Sequence, residues 1–220
     1  NTYNRQNFAL YNPDSYLNRY IADLTLMASG SNRLAPDHKY GFSPTLSAAW
    51  VISNEEFMRN ATFIEFLKLR ASAGILNTDF IPVVGFWEQN FGGGNGYPMG
   101  GNYDWANGTA EGRFPSSNIS MEKAYKYNVG IYAAFSKGFT MSADDYYQKR
   151  KDIFISTAGQ ASSVLGVTPS YANAGIVDSY GVELGLNYDK KFGDVTVFAG
   201  GKFTLAKSEI KEQLEEPRAY

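Results

Sequence analysis

The sequence predicts an all-β fold, an up-and-down antiparallel sheet of about eight long strands. Three observations predict it. Aromatic residues make up 15% of the 220 residues, and 22 glycines accompany them. Strands favour rings, and tight turns favour glycine. Apolar residues recur with a period of two along most of the chain. The connections between the periodic stretches alternate between short and long, as they do where each strand turns back on the one before it.

In chain order, the predicted strands cover Tyr3–Leu10, Leu17–Ser29, Gly41–Ser53, Phe63–Asn77, Ile119–Phe135, Phe139–Ile155, Tyr180–Asp189 and Val195–Lys207. In the second, Ala22, Leu24, Leu26 and Ala28 alternate with Ile21, Asp23, Thr25 and Met27. In the third, Phe42, Pro44, Leu46, Ala48, Trp50 and Ile52 share one face, and Ser43, Thr45, Ser47, Ala49 and Val51 the other. In the fourth, Leu67, Leu69, Ala71, Ala73 and Ile75 oppose Lys68, Arg70, Ser72 and Gly74. In the fifth, Tyr125, Tyr127, Val129, Ile131, Ala133 and Phe135 oppose Lys126, Asn128, Gly130, Tyr132 and Ala134. In the seventh, Val182, Leu184, Leu186 and Tyr188 oppose Glu183, Gly185 and Asn187.

Short turns are expected at Tyr11–Ser15, Ser136–Gly138 and Lys190–Asp194, where Pro-Asp, Lys-Gly and Gly-Asp dipeptides have backbone reasons to turn. Long connections are expected at Gly30–Tyr40, Thr78–Ser117 and Ser156–Asp178. The medium connection Asn54–Thr62 suggests one helical turn capped by Ser53 or Asn54. Several strands exceed the usual length of about 5–6 residues.

Composition excludes several functions. With 20 Lys+Arg against 22 Asp+Glu, the net charge is −2, which gives no basic field for nucleic acid. The absence of cysteine removes disulfides, thiolate metal sites and thiol nucleophiles. His38 is the single histidine, so no histidine cluster exists for a metal, and neither a metal nor a cofactor is expected. Asp144 and Asp145 fall on opposite faces of one strand and cannot form the carboxylate pair of a glycosidase, so no enzyme is expected. Gly92-Gly-Gly-Asn-Gly96 lacks the Lys-Ser/Thr of a phosphate-binding loop. No run of apolar residues is long enough for a transmembrane helix. The chain opens on Asn1 with no charged-then-apolar leader, and the expectation is an internal piece of a longer protein.

Alternation by itself fits either an outer-membrane barrel or a soluble β-sandwich or lipocalin-like barrel, the latter a carbohydrate-binding module. Aromatic residues near strand ends, among them Tyr16, Tyr20, Tyr40, Phe42, Trp50, Phe135 and Phe139, suit bilayer interfaces. The Thr78–Ser117 loop carries aromatics among glycines. Trp87, Tyr97, Tyr103 and Trp105 are its candidate ligand contacts, because flat rings stack on sugar rings or apolar side chains.

The residues also carry a resemblance. Tyr40-Gly-Phe-Ser-Pro-Thr-Leu-Ser-Ala-Ala-Trp-Val-Ile-Ser-Asn-Glu-Glu-Phe57 resembles the "YGFFPSVSAAWVISNEDF" stretch of SusC/RagA-type TonB-linked outer-membrane receptors. Phe66-Leu-Lys-Leu-Arg-Ala-Ser-Ala-Gly74 is similar to their "FLKLRASYG", Tyr127-Asn-Val-Gly-Ile131 to "YNVGID", Gly181-Val-Glu-Leu184 to "GVEL" and Glu215-Glu-Pro-Arg-Ala-Tyr220 to "EEPRAYDY". Where the family has a tryptophan the sequence has Met121, and Asp145 stands at an aromatic position. The resemblance implies a transmembrane barrel of about 22 strands in the bacterial outer membrane, of which residues 1–220 form a partial barrel domain lacking the plug and closing strands. It also implies import of oligosaccharides or peptides, a SusD-like lipoprotein lid over the outer loops, a TonB motor acting through the plug, contact with outer-membrane lipids and passage through the barrel-assembly machinery.

Overall fold

The computed structural model describes residues 3–80, 85, 87–102, 104–157, 164, 166 and 171–214. Eight strands form one antiparallel sheet in chain order: β1 (Arg5–Tyr16), β2 (Tyr20–Ser31), β3 (Tyr40–Val51), β4 (Ile64–Thr78), β7 (Glu122–Phe135), β8 (Phe139–Ser156), β9 (Tyr171–Phe192) and β10 (Val195–Glu212). Between β4 and β7 a separate hairpin is formed by β5 (Phe91–Met99) and β6 (Asp104–Glu111), which pair with each other. The eight-strand sheet is open, with β1 and β10 at its edges.

All eight predicted strands are present, with four differences in detail. Tyr11–Ser15 is not a turn; it continues β1, and Pro13 sits opposite Asp23. The reversal comes at Leu17 and Asn18, both at positive φ (52° and 53°), closed by Arg19 N–H donating to the Tyr16 carbonyl at 3.0 Å. The connection after β3 is two 3-10 turns, Ile52–Asn54 and Glu56–Met58, preceded by Val51 and Glu55 with no side-chain cap. Strand β9 begins at Tyr171, nine residues before the expected start at Tyr180. Its first part lacks alternation because it is partly covered on both faces. The Thr78–Ser117 connection is organised by the β5–β6 hairpin rather than irregular throughout.

The tight turns lie at one end of the sheet. Phe135 pairs with Phe139 across Ser136–Gly138, and Phe192 pairs with Val195 across Gly193–Asp194. Gly138 has φ 87°, and a Cβ there would lie 1.9 Å from the Asp189 carbonyl oxygen, so only glycine fits. At the opposite end are the connections between β2 and β3, β4 and β7, and β8 and β9.

The buried core lies at that long-loop end and not in the wall. Leu34, Ile119 and Met121 pack together, with Phe154 and Tyr171 against them. Met121 thus fills a core position. Around it Asn77 donates to the Phe42 carbonyl (2.5 Å) and to Ser43 Oγ (2.9 Å). Glu122 accepts from Arg150 at 2.6 Å. The wall itself leaves its apolar side chains uncovered: Leu24, Leu46, Leu69, Val129, Leu184, Leu186 and Phe203 are all exposed.

Candidate functional site

The register separates an apolar from a polar face across the width of the sheet, with polar exceptions on the apolar face at Asp145, opposite Val129 and Val182, and at Asn12 and Asp14 of β1. On one face Trp50 opposes Leu69, Leu69 opposes Ile131, Ile131 opposes Ala143, Ala143 opposes Leu184 and Leu184 opposes Phe203. On the other, Asp23 opposes Ser47, Ser47 opposes Ser72 and Ser72 opposes Asn128. Further along that second face, Arg70, Gly130, Asp144 and Glu183 follow one another. Because the side-chain period is two, a slip of one residue anywhere would exchange the faces.

On the apolar face the rings keep a fixed spacing. Phe8 and Tyr16, Phe42 and Trp50, Tyr127 and Phe135, Phe139 and Tyr147, and Tyr180 and Tyr188 each stand eight residues apart on their strands. They line up between strands too. Tyr16, Tyr20 and Trp50 oppose one another, as do Phe135, Phe139 and Tyr188, and Tyr127, Tyr147 and Tyr180. Tyr127 is opposite Ala73, which is opposite Leu46, four residues from Phe42. Both ring rows therefore step by four residues between β3 and β7, the stagger that tilted barrel strands require. Eight residues span ~27 Å along a strand. At a tilt of ~35–45° that is ~20 Å of depth, matching an apolar belt of ~25 Å bounded by aromatic girdles.

The polar face carries its own built pair. Arg70 Nη2 lies 2.7 and 2.8 Å from the two Asp144 carboxylate oxygens, directly over Gly130. A Cβ on Gly130 would stand 2.1 Å from Asp144 Oδ1, so this glycine makes room for the ion pair. Ser47 donates to Asp23 at 3.1 Å beside it. A groove of ~240 Å³ runs between Asp23, Lys68, Arg70, Ser72 and Asn128.

Each end of the belt has an acidic anchor. At the tight-turn end, Glu55 accepts from Tyr20 Oη (2.8 Å), Trp50 Nε1 (3.0 Å) and Arg19 Nη1 (3.2 Å). The Trp50 and Tyr20 hydrogen bonds hold its carboxyl below the usual glutamate range, and Arg19 adds to this. The Tyr20 and Trp50 rings stack at 6.4 Å. At the long-loop end, Asp79 is 4% exposed, accepts from Tyr3 at 2.8 Å and pairs with Arg5 at 3.4 Å. Burial pushes its carboxyl up, but hydrogen bonds from Ser31 and Tyr3 and the charge of Arg5 outweigh that and hold it below the aspartate range. Nothing in the sequence pattern marked Glu55 or Asp79, because each acts across a connection whose path alternation does not encode.

Of the four aromatic loop candidates, Tyr97 and Trp105 are not brought together on one face. Tyr103 lies outside the described residues, as does the Glu215–Tyr220 stretch. Trp87 is half-buried in a turn before β5, with its Nε1 buried and without a hydrogen-bond partner among the described residues. Tyr97 and Trp105 are 60% and 67% exposed. Trp105 pairs with Pro98 and Tyr97 with Ala106, which puts the two rings on opposite faces of the hairpin. The Trp105 indole lies over Gly96, where a Cβ would meet Nε1 at 2.6 Å. The hairpin therefore offers two separate aromatic faces rather than a single clamp.

The family sequence model described as "TonB dependent receptor-like, beta-barrel" matches residues 1–218. TonB-dependent receptor SusC of Bacteroides thetaiotaomicron is 28% identical over 179 residues, 79% of this chain and 17% of that protein. TonB-dependent receptor P39 of Formosa agariphila is 26% identical over 206 residues, 91% of this chain and 19% of that protein. Among solved structures, the RagAB peptide importer in its closed-closed state superposes with a TM-score of 0.83 at 18% identity, covering 97% of this chain and 23% of that one. That likeness shows the fold. The chain spans about a fifth of the length of the curated relatives it matches.

Proposed function

The chain belongs to the TonB-dependent receptor-like β-barrel family, in the bacterial outer membrane, and from that membership we propose that it forms part of the wall and outer loops of an energised importer of oligosaccharides or peptides. The observation that carries the reading is the paired aromatic rows on a sheet with one apolar and one polar face. Such a wall shields a polar passage from lipid, and every backbone group within it must find its partner in a neighbouring strand. In this reading residues 1–220 form a partial barrel domain, and its edges β1 and β10 pair with strands outside those residues. The relatives' names support receptor function: SusC is a TonB-dependent receptor, and RagAB is a peptide importer.

In this reading a lipoprotein lid of the SusD kind closes over the long-loop end, and a TonB motor acts through a plug inside the polar face. Tyr97 and Trp105, with Trp87 and Tyr103 nearby in sequence, are the loop's contacts with the incoming chain, since rigid rings give contact area at low entropic cost. The exposed hairpin faces favour a second role, docking the lid. Replacing Tyr97 and Trp105 by Ala in the full receptor separates the two. Ligand contact predicts weaker binding by the lid-free receptor. Lid docking predicts weaker lid association with lid-free affinity unchanged. Wild-type uptake and wild-type lid association in the variant would refute both roles.

A further inference from the structure

We propose that the outer face just beyond the Tyr127–Tyr147–Tyr180 row binds the phosphate of an outer-leaflet lipid headgroup. The inference rests on the membrane placement of the sheet and not on transport. Five lysines stand there on the apolar side of the wall, one of them Lys123, the cross-strand partner of Lys151. Lys149 and Lys151 continue the face of Tyr147 along β8, and Lys151 Nζ stands 5.8 Å from the Tyr125 ring centre. Lys207 lies opposite Tyr180, and Lys211, four residues further along β10, reaches the same carboxylate, Glu209.

Three carboxylates share the patch and do not neutralise it; the first, Asp152, is held by Lys123 at 3.1 Å. Glu209 is held between Lys207 (2.6 Å) and Lys211 (2.5 Å) and accepts from Tyr180 at 3.2 Å. Asp178, the cross-strand neighbour of Lys149, is buried and takes the Tyr147 hydroxyl. Lys149 and Lys151 make no ion pair among the described residues. Two positive charges are therefore left over on Lys149 and Lys151, just beyond the ring row. Lys149 is two residues past the Tyr147 ring, about 7 Å along the strand, which is headgroup level. Long ammonium stems at that level extend towards the interface. Lysines there attract anionic headgroups, at roughly 1 kcal/mol each. The phenol row beneath supplies the flat apolar contact for the first segments of the acyl chains. A phosphate joined to acyl chains fits this arrangement, cation above and rings below; a free anion uses only the upper half.

The test uses the full receptor in detergent and native mass spectrometry, with phosphatidic acid, phosphatidylcholine and inorganic phosphate as probes. Wild type should retain phosphatidic acid over phosphatidylcholine. The K149Q/K151Q variant should lose that preference by roughly fivefold for each lysine removed, and K149R/K151R should keep it. Unchanged preference in K149Q/K151Q would overturn the proposal, and so would displacement of phosphatidic acid by millimolar inorganic phosphate, which would mark a site for the free ion. Heat-modifiable gel mobility verifies assembly of each variant. If K149Q/K151Q does not assemble, the wild-type salt titration decides, because retention insensitive to salt excludes the charge mechanism.

Discussion

Leu46 sits at the midpoint of the belt on β3, four residues from Phe42 and four from Trp50. Four residues correspond to ~14 Å along the strand and, at barrel tilt, to ~10 Å of depth from either ring. Its cross-strand neighbours are Leu24 and Ala73, so no polar group directly opposite can receive a charge. Leu46→Arg should therefore cost about 2–4 kcal/mol, the value for an arginine at the bilayer midplane, or ~30- to ~1000-fold in the folding equilibrium. Ser47→Arg, one residue on, enters the polar face beside Asp23 and should stay within about 0.5 kcal/mol. The measurement is urea-dependent folding of the full receptor into phospholipid vesicles, read by tryptophan emission and gel mobility. Equal costs for the two substitutions, or a larger one for Ser47→Arg, would refute the assignment of faces.

Two further outcomes follow from the anchors and the inner face. Glu55 has a lowered pKa in the folded state, so its contribution is complete above the ordinary glutamate range and is lost as pH falls through the depressed value. Trp50 emission should change on acidification in wild type and be pH-independent in Glu55→Gln; the same acid transition in both would exclude Glu55. Gly130→Ala places its methyl against the Arg70–Asp144 pair, so it should cost about as much as Arg70→Met, up to about 1 kcal/mol for a half-exposed pair. The double substitution should cost no more than either alone, and additive losses in a double-mutant cycle would show that the glycine and the pair are independent.

The sequence by itself determined the strands and their faces. Alternation needs only the period of the pleat, so Leu46, Leu69, Ile131 and Leu184 could be assigned together from neighbours in the chain. The short turn at Gly138 was legible for the same reason, because the backbone requirement is local. The family was legible in contiguous stretches such as the one from Tyr40 to Phe57.

What only the tertiary structure decided were features that depend on register between strands. That the rings on β7, β8 and β9 form two rows, and that the rows step by four residues from β3, follows from which residue faces which, and no single strand contains that information. Pro13 reads as a turn residue until β1 is seen to run on through it, paired with Asp23 of β2. Glu55 reads as part of a helical turn until the chain folds back and sets it against Tyr20 and Trp50. The early start of β9 was hidden because the strand is partly covered on both faces above the belt, which erases the alternation that a lipid–water contrast imposes below. The lysines of β8 and β10 lie far apart in the chain, and only the pairing of both strands with β9 puts them on one face, at and just beyond the tyrosine row.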